Sequence, residues 1–422
     1  MSGHARQICI QQERMKMKIK LPVFCAFTGA AAGLIFWLFL FLIERGTFLV
    51  WEMLPGFCPD IPFYPVIICA AGGLLIGIFR KFTGDYPEDM MTVLKRLKTE
   101  KTYPYRALPV IFIGALLPLI FGSSVGPEAG MVGVIVALCC LAADMMKFAK
   151  KESEDFSRIG AAVSLSVIFR SPLFGILDVE DDGEKSLTGT TKIILYCIAT
   201  GAGFGCFWLL NTYIEKVSEA FPSFAAISTD RSDYICFVPY LICGMLLGIF
   251  FELTEKAFEK AAHALPAIIK ETVAGLILGI TACFLPVIMF SGEEQMGVLI
   301  TDYARYAPLA MIGIAFLKII MTNLCINLGL KGGHFFPLIF AAVCLGYGVS
   351  LLIFPLDASH ANFAAAVAAS GTLGISMKKP LAVSMLLLLC FPAGALLWIV
   401  PASALSAWIG MKLMPSSKKD PS

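Results

Sequence analysis

Long stretches almost free of charge recur from one end of this chain to the other, and no soluble core has room for so many of them. The first runs from Leu21 to Ile43, and others lie near 62–79, 107–121, 129–147, 191–210, 234–250, 272–290, 307–328, 335–354 and 380–413. Charged residues make up 15% of the 422 and hydrophobic ones 58%. An average soluble domain carries about 25% charged residues, so the solvent implied here is lipid. Within lipid a segment must satisfy its own backbone polar groups. The expectation is an all-α polytopic membrane protein with roughly ten to thirteen spanning or partly spanning helices.

Composition also excludes function classes. The fourteen cysteines sit mostly inside apolar runs without paired metal-ligand spacing, and the four histidines are scattered. Neither a zinc site nor a metal cofactor is expected. A formal net charge of +2, with its basic residues at helix ends, offers nothing to nucleic acid.

Charge also orients the chain. Arg6, Arg14, Lys16, Lys18 and Lys20 precede the first run, which is too long for a cleaved leader. The positive-inside rule therefore puts residues 1–20 in the cytoplasm. Arg80, Lys81, Lys95, Arg96, Lys98 and Lys101 assign the same side to the region after the second run, and Lys412, Lys418 and Lys419 assign it to the tail at 414–422. The Lys/Arg-poor connection from Glu44 to Phe63 falls outside, and the charged segment from Glu88 to Glu100 reads as an amphipathic helix on the inner surface. A plasma membrane location follows as an expectation.

Two halves of the chain echo one another, about 60–215 and about 230–410. Gly73 to Phe79 recurs as Gly244 to Phe250, the Gly-rich break Gly122 to Gly130 as Gly329 to Pro337, and Arg170-Ser171-Pro172-Leu173 as Lys379-Pro380-Leu381. Three matches in one order indicate a duplicated unit. Where such halves are inverted, broken helices meet and their ends build a binding site.

The breaks carry the chemistry. Glu128 is the lone ionisable residue between Arg106 and Asp144. A charge at that depth costs on the order of 3 kcal/mol or more, and intramembrane carboxylates usually face a cavity or an ion path. Gly122, Ser123, Ser124 and Gly126 leave amides uncovered ahead of a new helix, where an anion is favoured. The Glu128 carboxylate could take that place itself, and protonation would withdraw it. In the second break, Gly332 and Gly333 strip side chains from the turn and Pro337 suits a first helical turn. The amides of His334 and Phe335 are then expected to point at an ion.

These residues resemble the CLC family of chloride channels and chloride/proton exchangers. Gly126-Pro127-Glu128-Ala129-Gly130 is similar to the family's G-x-E-x-P, with Gly130 in the fifth place and Pro127 where a basic residue is usual. Gly333-His334-Phe335-Phe336-Pro337 matches G-x-F-x-P in full. Phe169 to Leu177, followed by Asp178, Glu180, Asp181 and Asp182, resembles the helix-turn-helix before the family's inner glutamate. Thr83-Gly84-Asp85-Tyr86-Pro87 stands in the place of G-S-G-I-P, with Gly84 where the pore serine would be, and no tyrosine follows Tyr347. The resemblance implies an inverted-repeat bundle over 21–413, with broken helices meeting at the bilayer midplane and no regulatory domain after it. It further implies a homodimer with one anion path per subunit. Glu128 becomes the gating glutamate, Asp182 the inner proton acid, and Gly126, Gly333, His334 and Phe335, with Gly84, the surroundings of the anion.

Three functions stay open at this point. Acids at both Glu128 and Asp182 favour an anion/proton exchanger, with chloride as the anion; the alternative is a passive chloride channel. A membrane-embedded enzyme would need a nucleophile with its base or a metal cluster. Ser123 and Ser124 have no histidine near them in sequence.

Overall fold

A computed structural model describes residues 3–57, 61–100, 103–145, 163, 166, 190–217, 222–225, 227, 229–355 and 360–414. Asp182, the acids before it and the block at 169–177 lie outside the described residues. Among the described residues the structure is helix and turn, with one isolated β-bridge, Gly126 to Gly333.

The first helix, α1 (Gly3–Phe48), continues through a π-turn at Leu49–Met53 into Leu54–Phe57. The connection expected from Glu44 onward is therefore helical as far as Phe57. Then come α2 (Tyr64–Thr83), α3 (Met90–Glu100), α4 (Leu108–Ile120), α5 (Glu128–Met145) and α6 (Thr190–Tyr213). The remaining helices are α7 (Arg231–Ala262), α8 (Ile269–Phe284), α9 (Glu293–Asp302), α10 (Pro308–Asn327), α11 (Phe335–Ile353), α12 (Ala361–Met377), α13 (Pro380–Leu387) and α14 (Leu396–Leu413). Among the described residues, seven helices are long and apolar enough to cross a membrane, while α4, α5 and α12 are shorter apolar helices.

Contacts divide the chain into two compact units. One comprises Met1–Phe41, Met91–Leu108 and Met131–Val217. In it α1 meets α6 at two glycines: a Cβ at Gly29 would stand 1.9 Å from Ala199 O, and one at Gly33 2.2 Å from Gly203 O. Between lipid-solvated helices the hydrophobic drive is weak, so close backbone contact through small residues holds the pair.

The other unit comprises Leu42–Met90, Pro109–Gly130 and Ser218–Ser422, and so contains both Gly-rich breaks. It uses the same device twice. On α2 and α8, a Cβ at Gly73 would lie 2.2 Å from Glu271 O, and one at Gly275 2.0 Å from Cys69 O. On α7 and α12, a Cβ at Gly244 would lie 2.3 Å from Ala368 O, and Thr372 Oγ1 donates to Gly244 O at 3.0 Å. The glycine runs at 73–79 and 244–250 thus serve crossings with different partners. Asp233 closes a capping box at the start of α7 and pairs with His360 Nδ1 at 2.8 Å, joining that start to the start of α12.

A methyl at the α7–α12 crossing has nowhere to go. Gly244→Ala is expected to cost about 3 kcal/mol, the upper end for overpacking, and to lower the melting midpoint of the detergent-solubilised protein. Gly201→Ala, whose Cβ would meet nothing within 4 Å, should leave the midpoint in place. Equal midpoints for the two variants would remove the close crossing as a source of stability.

Candidate functional site

The helices before the two breaks end in the same way. Beyond α4, Gly122 is left-handed (φ 79°), with Gly122 N–H bonding to Leu119 O and Ser123 N–H to Pro118 O. Beyond α10, Gly329 is left-handed (φ 101°), with Gly329 N–H bonding to Ile326 O and Leu330 N–H to Cys325 O. Both are Schellman ends, which need a residue at positive φ and so favour glycine. After four further residues each chain reaches the bridge, at Gly126 or Gly333, and two residues later a new helix starts at Glu128 or Phe335. Glu128 and Phe335 stand 207 positions apart, and the two glycine pairs share that offset without a gap.

The two segments touch. Gly126 N–H donates to Gly333 O and Gly333 N–H to Gly126 O, both at 2.7 Å. Such reciprocity is what a local twofold between them produces. It also occupies the amides of both glycines, so what Gly126 and Gly333 offer the site is space. A Cβ on Gly126 would lie 2.0 Å from Glu128 Oε2, and one on Gly333 1.9 Å from Glu128 Cδ.

The Glu128 carboxylate fills that space and is 1% exposed. Its Oε1 accepts the Phe335 N–H at 2.7 Å and lies 3.5 Å from the Phe336 N–H, at the outer limit of a bond. These are amides in the first turn of α11, at its positive end. Oε2 has no hydrogen-bond partner among the described residues. The acid of one break thus sits on the helix start of the other, with one oxygen held and one orphaned.

His334 is the N-cap residue of α11, and its ring packs on Phe335 (4.5 Å between centroids) and Phe251 (5.2 Å). Phe336, given no role in the sequence reading, supplies the second nearby amide. Gly84 follows α2 at φ 93°, and its N–H closes that helix on Arg80 O at 2.9 Å.

Polar groups beside the first break are matched in pairs. Ser124 Oγ lies 3.3 Å from Thr322 Oγ1 on α10. One turn earlier on that helix, fully buried Lys318 donates to Ile288 O, Met289 O and Phe290 O at 2.9, 3.1 and 2.6 Å. Phe290 N–H in turn donates to Gly122 O at 3.2 Å. Lys318 therefore holds the turn that holds the break. The sequence signal existed, because Lys318 is the lone Asp, Glu, Lys or Arg of α10.

Known proteins resemble this chain in sequence and in overall fold. The curated voltage-gated ClC-type chloride channel ClcB of Shigella flexneri is 25% identical over 303 residues, 69% of each chain. The ClcB of Escherichia coli O9:H4 is 25% identical over 304 residues, again 69% of each. Among solved structures, a slow cyanobacterial Cl−/H+ antiporter superposes with a TM-score of 0.78 at 14% identity, covering 94% of this chain and 95% of its own. A CLC-type fluoride/proton antiporter gives 0.74 at 18% identity, covering 93% and 96%. The model of the voltage gated chloride channel family matches residues 66–411, and the chain belongs to that family, the CLC family.

Proposed function

We propose that this chain is an anion/proton exchanger in which Glu128 is both the gate and the proton carrier. The observation that carries the reading is the Glu128 carboxylate bonded at 2.7 Å to a first-turn amide of α11 in a notch made by two glycines. An ionised carboxylate and a small anion compete for those donors. Once protonated, Glu128 loses its hold on the amides and the anion takes its place; on release of the proton the carboxylate returns and displaces the anion. The orphaned Oε2 favours this alternation, because an ionised buried oxygen without a donor costs roughly 1–3 kcal/mol or more.

Chloride is the anion this reading assigns, in keeping with the name of the ClcB relatives, and the likeness in fold to a cyanobacterial Cl−/H+ antiporter favours exchange. Asp182 is proposed as the second proton station. The passive-channel alternative draws on the "voltage-gated chloride channel" name of the curated relatives. We place the protein in a plasma membrane as a homodimer with both termini cytoplasmic. His334 and Phe335 then flank the anion, with Gly126 and Gly333 keeping its place clear and Gly84 lining the approach.

Liposomes carrying a chloride gradient separate exchange from conduction. Uphill proton movement is expected with the native chain, and its absence alongside fast chloride efflux would establish the channel. Glu128→Gln, a neutral mimic of the protonated acid, should abolish proton movement and pH dependence while chloride efflux persists. Coupled flux that survives this change removes Glu128 from the mechanism.

The notch gives an independent check that leaves the acid intact. Gly333→Ala sets a methyl 1.9 Å from Glu128 Cδ and should uncouple protons much as Glu128→Gln does. Gly313→Ala, with nothing within 4 Å of its Cβ, should not. Retained coupling in Gly333→Ala means the carboxylate does not work from this position.

Selectivity is expected to be broad. A hydroxyl donated to an anion is worth roughly 1.5–3 kcal/mol, and Gly84 cannot donate one. Chloride and nitrate should therefore cross at rates within about tenfold of each other, and a much larger preference for chloride would count against Gly84 as part of the path.

A further inference from the structure

Beside the second break, four charged side chains of the larger unit converge. Arg80, in the last turn of α2, donates from Nη1 to Glu271 Oε1 at 2.5 Å and to Gly329 O at 3.2 Å. Its Nη2 pairs with Asp85 Oδ1. Lys331 Nζ lies 2.7 Å from Asp85 Oδ2 and donates to Asp85 O at 3.3 Å. The left-handed Gly329 makes room for this, since a Cβ there would stand 2.0 Å from Arg80 Nη1.

The two acids play unlike parts. Glu271 is 1% exposed, and its second oxygen accepts the Ile268 N–H at 2.7 Å, so both of its oxygens are bonded. It is a sealed counter-charge for Arg80. Asp85 is 68% exposed and holds one oxygen on each cation. Its partners are more enclosed, Arg80 at 11% and Lys331 at 22%, so the carboxylate is the member of both pairs that can turn to water. When the Asp85 side chain swings out, it leaves Lys331 Nζ and Arg80 Nη2 as adjacent donors open to water. Arg80 also has an Nε–H without a partner among the described residues. Glu88, Asp89 and Lys270 add charge of both signs around Lys331, so the two donors select by contact with an ion small enough to sit between them.

We propose that Arg80 and Lys331 form a binding site for a small inorganic anion, with Asp85 as its tethered competitor. The proposal rests on the reading of the chain as an anion transporter and gives that transporter a receiving station. Lys331 lies four residues before Phe335, whose amide holds Glu128, so an ion bound here waits at the entrance to the second break. Asp85 would stand to Lys331 and Arg80 as Glu128 stands to the amides of α11: a carboxylate in the place of the passing ion.

The test is calorimetric titration of chloride into chloride-free purified protein, with Glu128→Gln in every sample so that the amide site is constant. Adding Asp85→Asn should tighten chloride binding about three- to fivefold, and adding Lys331→Gln to that pair should abolish the gain. An Asp85→Asn sample that binds as its parent does, or a gain that survives Lys331→Gln, overturns the proposal. Asp85→Ser repeats the arm if the asparagine variant is not monodisperse. Because calorimetry reads binding without transport, the predicted affinities in a chain that moves no anion across liposomes would sink the transport reading alone. Normal coupled transport with unchanged affinities would sink this site alone.

Discussion

The reciprocal backbone bonds between Gly126 and Gly333 are what the rest of the site depends on. A helix interrupted inside lipid leaves amides and carbonyls that water cannot reach, and each orphan costs several kcal/mol. This chain breaks two helices and lets the breaks satisfy each other, with 2.7 Å bonds in both directions. Contact that close brings the start of one helix within reach of a side chain from the other, and it is why Glu128 Oε1 meets Phe335 N–H. Without the bridge, Glu128 would be a buried charge with no donor.

The polar groups around the breaks are settled in the same way, by partners drawn from far along the chain. Ser124 turns to Thr322, and the carbonyls at 288–290 turn to Lys318. Arg80 reaches Gly329 O while Glu271 neutralises it. Removing one member of such a set leaves another unpaired, which costs more than the bond itself contributed.

Much of this was legible before any coordinates. The apolar runs announced lipid, and the Gly-rich breaks at 122–130 and 329–337 kept their register because glycine at positive φ and an open first helical turn are demanded by local backbone geometry. Glu128 stood out because a lone acid in an apolar stretch needs a reason. What sequence could not show was which groups use which partners. The amides of Gly122, Ser123 and Gly126 were counted as free for an ion, yet the first two close α4 and the third is spent on Gly333 O. Phe336 escaped notice because its contribution is a backbone N–H that any residue would supply. Arg80 read as a marker of topology, because Glu271 and Gly329 lie 191 and 249 positions away and only the fold brings them near. The glycine runs at 73–79 and 244–250 are alike in sequence but face α8 and α12, since a small-residue stripe specifies a close approach and not a partner.

The local twofold has one consequence of its own. Exchange the two broken segments and the backbone is almost restored: Schellman glycine on Schellman glycine, bridge on bridge, helix start on helix start. At the helix start, however, one copy carries a carboxyl group and the other the phenyl ring of Phe335. Two backbone segments that match under that exchange are thereby given a front and a back, and the pair at the helix starts is the one that sets an acid on one side only.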